Sequence, residues 1–116
     1  MNINIITVNY LKSEPTKELI NSLENCFTEG LKIKLIIADN ASNNKTRKEL
    51  TLIKKRSNLN IKLFLFNKNN FYWPAIQKVF NKINEDSKEF PDWTIVCNND
   101  IIFYDKNFFN ILSNIK

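Results

Sequence analysis

The sequence predicts an α/β domain of three layers, α/β/α, built on a mostly parallel sheet. Three observations carry this. Short apolar runs rich in β-branched residues alternate with stretches whose apolar residues recur at helical spacing. The runs are apolar on both faces, as strands covered from both sides are. Glycine and proline are scarce, one and three in 116 residues. That scarcity argues against the tight turns of a β-sandwich and against a glycine-rich phosphate loop.

The elements follow in order. Ile3 to Val8 is an apolar, β-branched run and a buried strand; it ends at Asn9-Tyr10. Ser13 is placed to cap a first helix, with Pro15 in its first turn and Leu19, Ile20, Leu23 and Phe27 on one stripe. Gly30 stands where a helix end wants a left-handed residue. Leu31 to Ala38 is the second strand and stops at Asp39-Asn40-Ala41-Ser42. A second helix runs from Thr46 to Arg56, with Leu50 and Ile53 inward. Ile61 to Phe66 is the third strand, followed by the loop Asn67-Lys68-Asn69-Asn70. Pro74 opens a third helix bearing Ile76, Val79, Phe80 and Ile83, and Glu85 to Pro91 is a loop. Trp93 to Cys97 is the fourth strand and ends at Asn98-Asn99-Asp100. Ile101-Ile102-Phe103 continues as a short extended piece, and Asp105 caps a last helix with Phe108, Phe109, Leu112 and Ile115. Right-handed crossovers between successive parallel strands place helices on both faces.

Length allows one domain and not two, and no repeat or linker interrupts the chain, so residues 1–116 read as a single domain. Hydrophobic residues at 43% supply a core, and the many Asn are interleaved with periodic apolar positions rather than gathered in a tract. Cys26 and Cys97 lie in apolar patterns, as small core residues of a reducing compartment do. There is no His and no close Cys pair, which excludes the common zinc sites. The start lacks the features of a secretory signal, and no apolar run is long enough for a membrane span. Net charge is +5, much of it in Lys45, Arg47, Lys48, Lys54, Lys55, Arg56 and Lys62. These form a solvated helix face or a surface that attracts anions.

In an open parallel sheet, ligands bind beyond the carboxyl ends of the strands. Two of the four ends carry an acid directly after an apolar run, Asp39 and Asp100. Asp39 reads equally as a turn residue or as a ligand for ribose or a base. Asp100 lies between Thr94-Ile95-Val96-Cys97 and Ile101-Ile102-Phe103, and a carboxylate buried between apolar segments needs a partner, such as Mg²⁺ or Mn²⁺. Asn69-Asn70 is expected to hold a residue at positive φ. Phe71, Tyr72 and Trp73 form an aromatic cluster; Phe71 is expected to pack helix on sheet, while one aromatic could stack on a base.

Together the four ends resemble the nucleotide-binding half of family 2 glycosyltransferases, which have the GT-A fold. Ile5-Ile6-Thr7-Val8-Asn9-Tyr10 looks like the family's opening strand, and Ile36-Ile37-Ala38-Asp39-Asn40-Ala41-Ser42 like its second-strand motif. Asn67 to Ala75 is similar to its third motif, and Asn98-Asn99-Asp100 to a variant of its Asp-x-Asp metal motif. The resemblance implies a transferase of hexosyl type, acting in polysaccharide biosynthesis on a nucleotide-diphosphate sugar and a glycan or other acceptor, with Mg²⁺ or Mn²⁺. It implies that Asp39 contacts the base or ribose, and that Thr7, Asn9 and Tyr10 line the nucleotide pocket. Asn69 and Asn99 would contact the nucleotide sugar, and Asp100 would help bind the cation. It also implies a cytoplasmic location, with peripheral contact to the inner face of the membrane allowed. Three departures stand out. Asn69-Asn70 replace the usual glycine, Asn98 replaces an acid, and the chain stops at Lys116 before the family's acceptor-binding half. The domain therefore reads as truncated, with a missing half or a second polypeptide as partner. Glu85, Asp86, Glu89 and Asp92 precede the fourth strand, on the wrong side for a catalytic base.

A non-catalytic module of the same fold, holding a nucleotide sugar or a partner protein, follows from the missing base. A receiver-like domain is disfavoured because the first strand ends in Asn9-Tyr10 rather than in paired acids. No base-reading motif supports nucleic-acid binding.

Overall fold

The alternation read from the sequence is the chain's architecture. The elements are β1 (Asn2–Asn9), α1 (Glu14–Glu24), β2 (Lys32–Asn40), α2 (Asn44–Arg56), β3 (Asn60–Phe66), α3 (Tyr72–Asp86), β4 (Trp93–Val96) and α4 (Phe108–Ser113). The computed structural model describes residues 1–86 and 90–115. Every strand pairing in it is parallel, in the order β3-β2-β1-β4.

Register follows from the two-residue period of a strand. Ile5 lies between Leu35 and Ile95, and Ile6 lies between Ile36 and Val96. Odd-numbered Ile3, Ile5, Leu35, Ile37 and Ile61 face α1 and α4, where Leu19, Ile20, Leu23 and Phe109 meet them and Ile53 of α2 packs alongside. Even-numbered Ile6, Val8, Ile36 and Ala38 face α3 through Ala75, Ile76 and Val79. The central strands β1 and β2 are thus buried on both faces, while the edge strand β4 alternates between half-buried and exposed.

Several boundaries move for local reasons. Helix α2 begins at Asn44, because the Asn43 side chain accepts from the Thr46 N–H at 2.9 Å and caps it. Helix α3 begins at Tyr72, so Pro74 sits inside its first turn, and it runs on to Asp86 through the start of the expected loop. Residues 87–89 of that loop lie outside the described residues. Ser13 precedes α1 without capping it; its hydroxyl donates to Glu49 and ties α1 to α2. Asp105 stands two residues ahead of the α4 N-cap, Asn107, whose N–H its carboxylate accepts at 2.8 Å. Ile101-Ile102-Phe103 forms no strand.

Gly30 does adopt φ +77°, but in a turn closed by the Leu31 N–H on the Thr28 carbonyl at 3.0 Å, well past the end of α1. Because α1 ends at Glu24, Phe27 leaves the stripe and is 55% exposed. Phe80 is also exposed: α3 packs over β1 and β2, and Phe80 lies on its flank beside a small gap above β4.

Phe109 is the one fully buried residue of the six in α4. A helix this short depends on its packing rather than on its own propensity. Phe109→Ala should lower unfolding free energy by about 3–5 kcal/mol in urea denaturation, whereas exposed Ile111→Ala should stay within about 0.5 kcal/mol.

A polar groove at the carboxyl edge of the sheet

The chain leaves β1 toward β2 and β3, then returns to place β4 on the other side of β1. The topological switch therefore falls between the carboxyl ends of β1 and β4, where open α/β sheets form their crevice. A groove of ≈ 510 Å³ lies there. Val8 and Tyr10 line it from β1 and Asn40 from β2. Asn69, Phe71 and Tyr72 line it from the β3–α3 segment, and Asn98-Asn99-Asp100 from beyond β4. All four strand ends thus meet in one place.

Behind the groove is a buried polar lattice centred on Asn9, which is 0% exposed. Its Nδ2 donates to Asp39 Oδ1 at 3.0 Å. Its Oδ1 accepts from the Thr16 hydroxyl at 2.6 Å and from Asn99 Nδ2 at 3.3 Å. Asn99 Nδ2 also reaches Thr16 Oγ1 at 3.1 Å. The Asp39 carboxylate, 0% exposed, takes two further donors from Ser42, its hydroxyl at 2.6 Å and its N–H at 3.1 Å. A buried carboxylate needs such donors, since burial without them is expensive.

The rim is strained at three points. Leu11, Ala41 and Phe71 have φ of 68°, 53° and 60°. Each follows the end of a strand, and each left-handed non-glycine residue costs about 1–2 kcal/mol. Side chains hold Leu11 and Phe71 there, while the Ala41 N–H donates to the Asp39 carbonyl at 3.1 Å. Leu11 donates its N–H to Ser42 Oγ at 3.0 Å and accepts from the Thr46 hydroxyl. Phe71 donates its N–H to Asn69 Oδ1 at 2.8 Å, and its carbonyl accepts from Asn40 Nδ2 at 2.7 Å. Asn40 Oδ1 accepts from the Asn70 N–H at 3.2 Å, so one amide grips two consecutive residues.

These positions sort the residues singled out from sequence. Tyr10, Asn69, Asn99 and Asp100 reach the groove surface. Thr7, Asn9 and Asp39 are fully buried and do not line it; Asn9 instead meets Thr16 of α1, and Asp39 meets Asn9 and Ser42. Two expectations are corrected. Asp100 is exposed, and so are Ile101 and Ile102, so no buried charge there demands a partner. Phe71, expected to pack on the sheet, is 73% exposed, and the positive φ falls on it rather than on Asn69 or Asn70. Tyr72 packs instead. Sequence reasoning passed over Asn40, Thr16 and Ser42; an Asn directly after a strand-ending Asp was the available signal.

Asp92 lies at the amino-terminal edge, where its carboxylate accepts the Asn2 N–H at 2.8 Å, and Glu85 and Asp86 end α3. Glu89 lies outside the described residues. Asp100 is the one formal charge lining the groove, and no set of three His, Cys, Asp or Glu side chains is placed to hold a metal among the described residues.

Burial pushes the Cys97 thiol up to about 11; the nearby Thr7 hydroxyl opposes this weakly, without reaching hydrogen-bond geometry. Burial also raises Tyr72, with the Cys97 charge adding to it, and raises Cys26, with Asp105 adding to it.

An open parallel sheet with a polar groove at its switch point defines the class, a doubly wound α/β domain of GT-A type. The chain matches the family model for glycosyl transferase family 2 over residues 4–116, and so belongs to that family. It is similar in fold to the crystal structure of S. aureus TarS 1–349, with TM-score 0.72 at 16% identity, covering 97% of this chain and 31% of that one. It is similar in the same way to TarS 1–349 in complex with UDP-GlcNAc, with TM-score 0.72 at 18% identity, covering 97% of this chain and 30% of that one. The chain thus spans about a third of the length of these structures. No curated protein matches it.

Two outcomes follow from this arrangement. Asn9→Ala removes a donor from buried Asp39 and an acceptor from Thr16 and Asn99, and should destabilise by at least about 2 kcal/mol in urea denaturation. For Cys97 the folded-state value lies above the ordinary 9.0, so the folded state holds the proton more tightly than the unfolded state. Its contribution to stability is complete below pH 9 and is lost as pH rises toward 11. Thermal unfolding midpoints of Cys97→Ala should therefore fall less steeply over that window than those of the parent.

Proposed function

We propose that residues 1–116 form the donor-binding domain of a family 2 glycosyltransferase, holding a nucleotide-diphosphate sugar at the carboxyl edge of the sheet. The observation that carries this is the convergence of all four strand ends on one groove at the switch point, backed by the Asn9–Asp39–Asn99 lattice. The family match and the likeness to a protein crystallised with UDP-GlcNAc support it.

The roles divide by exposure. Tyr10, Asn69 and Asn99 present polar and aromatic atoms to the nucleotide sugar. Asn99 has its Nδ2 engaged with Asn9 and Thr16, so its Oδ1 is the atom turned to the ligand. Asn9 and Asp39 act from behind, fixing where these atoms stand, whereas buried Thr7 leaves its hydroxyl without a hydrogen-bond partner among the described residues. A groove whose lining carries only a negative charge repels a diphosphate, and this argues for a cation between Asp100 and the ligand. One carboxylate with phosphate oxygens and waters is a donor set that suits Mg²⁺ or Mn²⁺. When bound, the cation would neutralise charge on the departing nucleoside diphosphate.

The groove holds no second carboxylate among the described residues to deprotonate an acceptor hydroxyl. Hexosyl transfer to a glycan, in polysaccharide biosynthesis, would therefore draw its acceptor site and base from a further half of the protein or from a second polypeptide. The same observation favours a second reading, a module of this fold that holds a nucleotide sugar without transferring it. A cytoplasmic location fits a nucleotide-sugar donor. No helix among the described residues is long and apolar enough to cross a membrane.

Isothermal titration with UDP-GlcNAc and Mg²⁺ should show binding, with affinity at least about tenfold weaker in EDTA or in Asp100→Ala, a change of about 1.4 kcal/mol. Absence of nucleotide-sugar binding in a panel of common donors would sink the proposal. Donor hydrolysis or sugar transfer by this chain alone would exclude the non-catalytic reading.

A further inference from the structure

Strand β3 is the outer strand of the sheet on the side away from β4. It runs seven residues and pairs with β2 without interruption from Asn60 to Phe66. Alternate residues of such a strand point their N–H and C=O away from the sheet, and no strand among the described residues meets them there. Natural edges are commonly shortened, bulged or broken by proline. Strand β3 has none of these devices, and from Ile61 to Phe66 only Lys62 is not apolar.

Positive charge flanks this edge on both faces. On one face Phe64 and Phe66 stack at 6.5 Å. The ammonium of Lys62 stands 5.2 Å from the Phe64 centroid, and those of Lys82 and Lys78 stand 5.8 Å from Phe64 and Phe66. On the other face an open trough of ≈ 510 Å³ lies between α2 and Leu65, lined by Arg47, Lys48 and Lys55 and by no acid. Among the described residues the one acid paired with any of these cations is Asp86, 3.4 Å from Lys62.

We infer that the β3 edge is a docking site for an extended acidic peptide segment, which adds to the sheet as a further strand. The backbone of that segment supplies the donors and acceptors that the edge lacks. Its side chains alternate between faces, so acids on either face meet cations. Charge complementarity selects this occupant. A second copy of the chain, pairing through β3, brings cations against cations. A surface of phosphates answers the charge, but phosphates only accept hydrogen bonds and leave the outward carbonyls unpaired. Lysines keep such an edge from pairing with itself, and the charge that repels a copy attracts an acidic strand. The trough shares no lining residue with the polar groove, so the inference stands apart from the donor-binding reading.

Fluorescence anisotropy with a labelled, end-capped octapeptide of repeating Glu-Glu-Val-Val tests this, because that repeat puts acids on both faces of a strand. The parent chain should bind it. Lys55→Glu and Lys82→Glu change one exposed charge on each face, and together they should weaken binding at least about tenfold. The same peptide N-methylated at every residue should not bind, nor should the peptide with Lys in place of Glu. Asp100→Ala should bind the peptide like the parent. In hydrogen exchange, backbone amides within Ile61–Phe66 should gain protection with the peptide, and not with phosphatidylserine vesicles or a DNA oligonucleotide. No binding by the parent, or equal binding of the N-methylated form, overturns the inference. Peptide binding that adds no protection to β3 overturns it too, and displacement by the vesicles or the oligonucleotide then assigns the cations to a phosphate surface.

Discussion

The amide of Asn9 is the joint on which the carboxyl edge depends. It sits at the end of β1, the strand flanked by β2 and β4. It donates to Asp39 at the end of β2 and accepts from Thr16 in α1 and Asn99 beyond β4. One buried side chain thus ties the end of β2, already paired with β1, to two segments outside the sheet ladder, α1 and the chain beyond β4. A smaller polar side chain could not span them, and an apolar one would strand the Asp39 carboxylate with one donor fewer. Asn is suited because its two ends differ, one donating to a carboxylate and the other accepting from a hydroxyl and an amide. The groove is the open side of this lattice.

Parallel topology was readable because it rests on strong signals. The runs Ile3–Val8 and Leu35–Ala38 are apolar on both faces, as doubly covered strands are, and their shortness and β-branching set them apart from buried helix. Positions just after strands were readable for the same reason: a polar residue that closes such a run must stand at the carboxyl edge. Which polar residues line the groove was not readable. Asp39 and Asp100 look alike in sequence, yet one is buried in a lattice and the other is exposed. The difference is set by partners distant along the chain, Asn9 and Ser42 for Asp39, and such pairings leave no mark on local pattern. Phe71 was expected to pack helix on sheet as part of an aromatic cluster, but it stands at positive φ just ahead of α3 and is exposed.

The groove is also where stability has been traded away. Leu11, Ala41 and Phe71 each hold an unfavourable backbone, enforced at Leu11 by Ser42 and Thr46 and at Phe71 by Asn69 and Asn40. Strain of this sort persists only where surrounding contacts over-determine it, and it gathers where geometry matters more than stability. By contrast Gly30, the single glycine, is spent on a plain turn at the other end of the sheet, open to solvent. The three rim positions that could have used a glycine carry side chains instead.

Electrostatics decides how far such a groove can act unaided. Its lining supplies one carboxylate and no cation among the described residues, so under the proposed function a diphosphate and a divalent ion would enter favourably only together. Linkage makes the dependence mutual: if the ion strengthens nucleotide binding by some factor, the nucleotide strengthens ion binding by the same factor. A protein-only metal site would have needed more acids at the end of β4, where Asn98 and Asn99 stand instead. Asn99 in turn spends its amide nitrogen on Asn9 and Thr16, which fixes the segment that carries Asp100. On the donor-binding proposal, this fixed segment is what would hold a charged leaving group in a defined place. Deprotonating an acceptor is a separate task, and it requires a carboxylate that this groove does not contribute among its described residues.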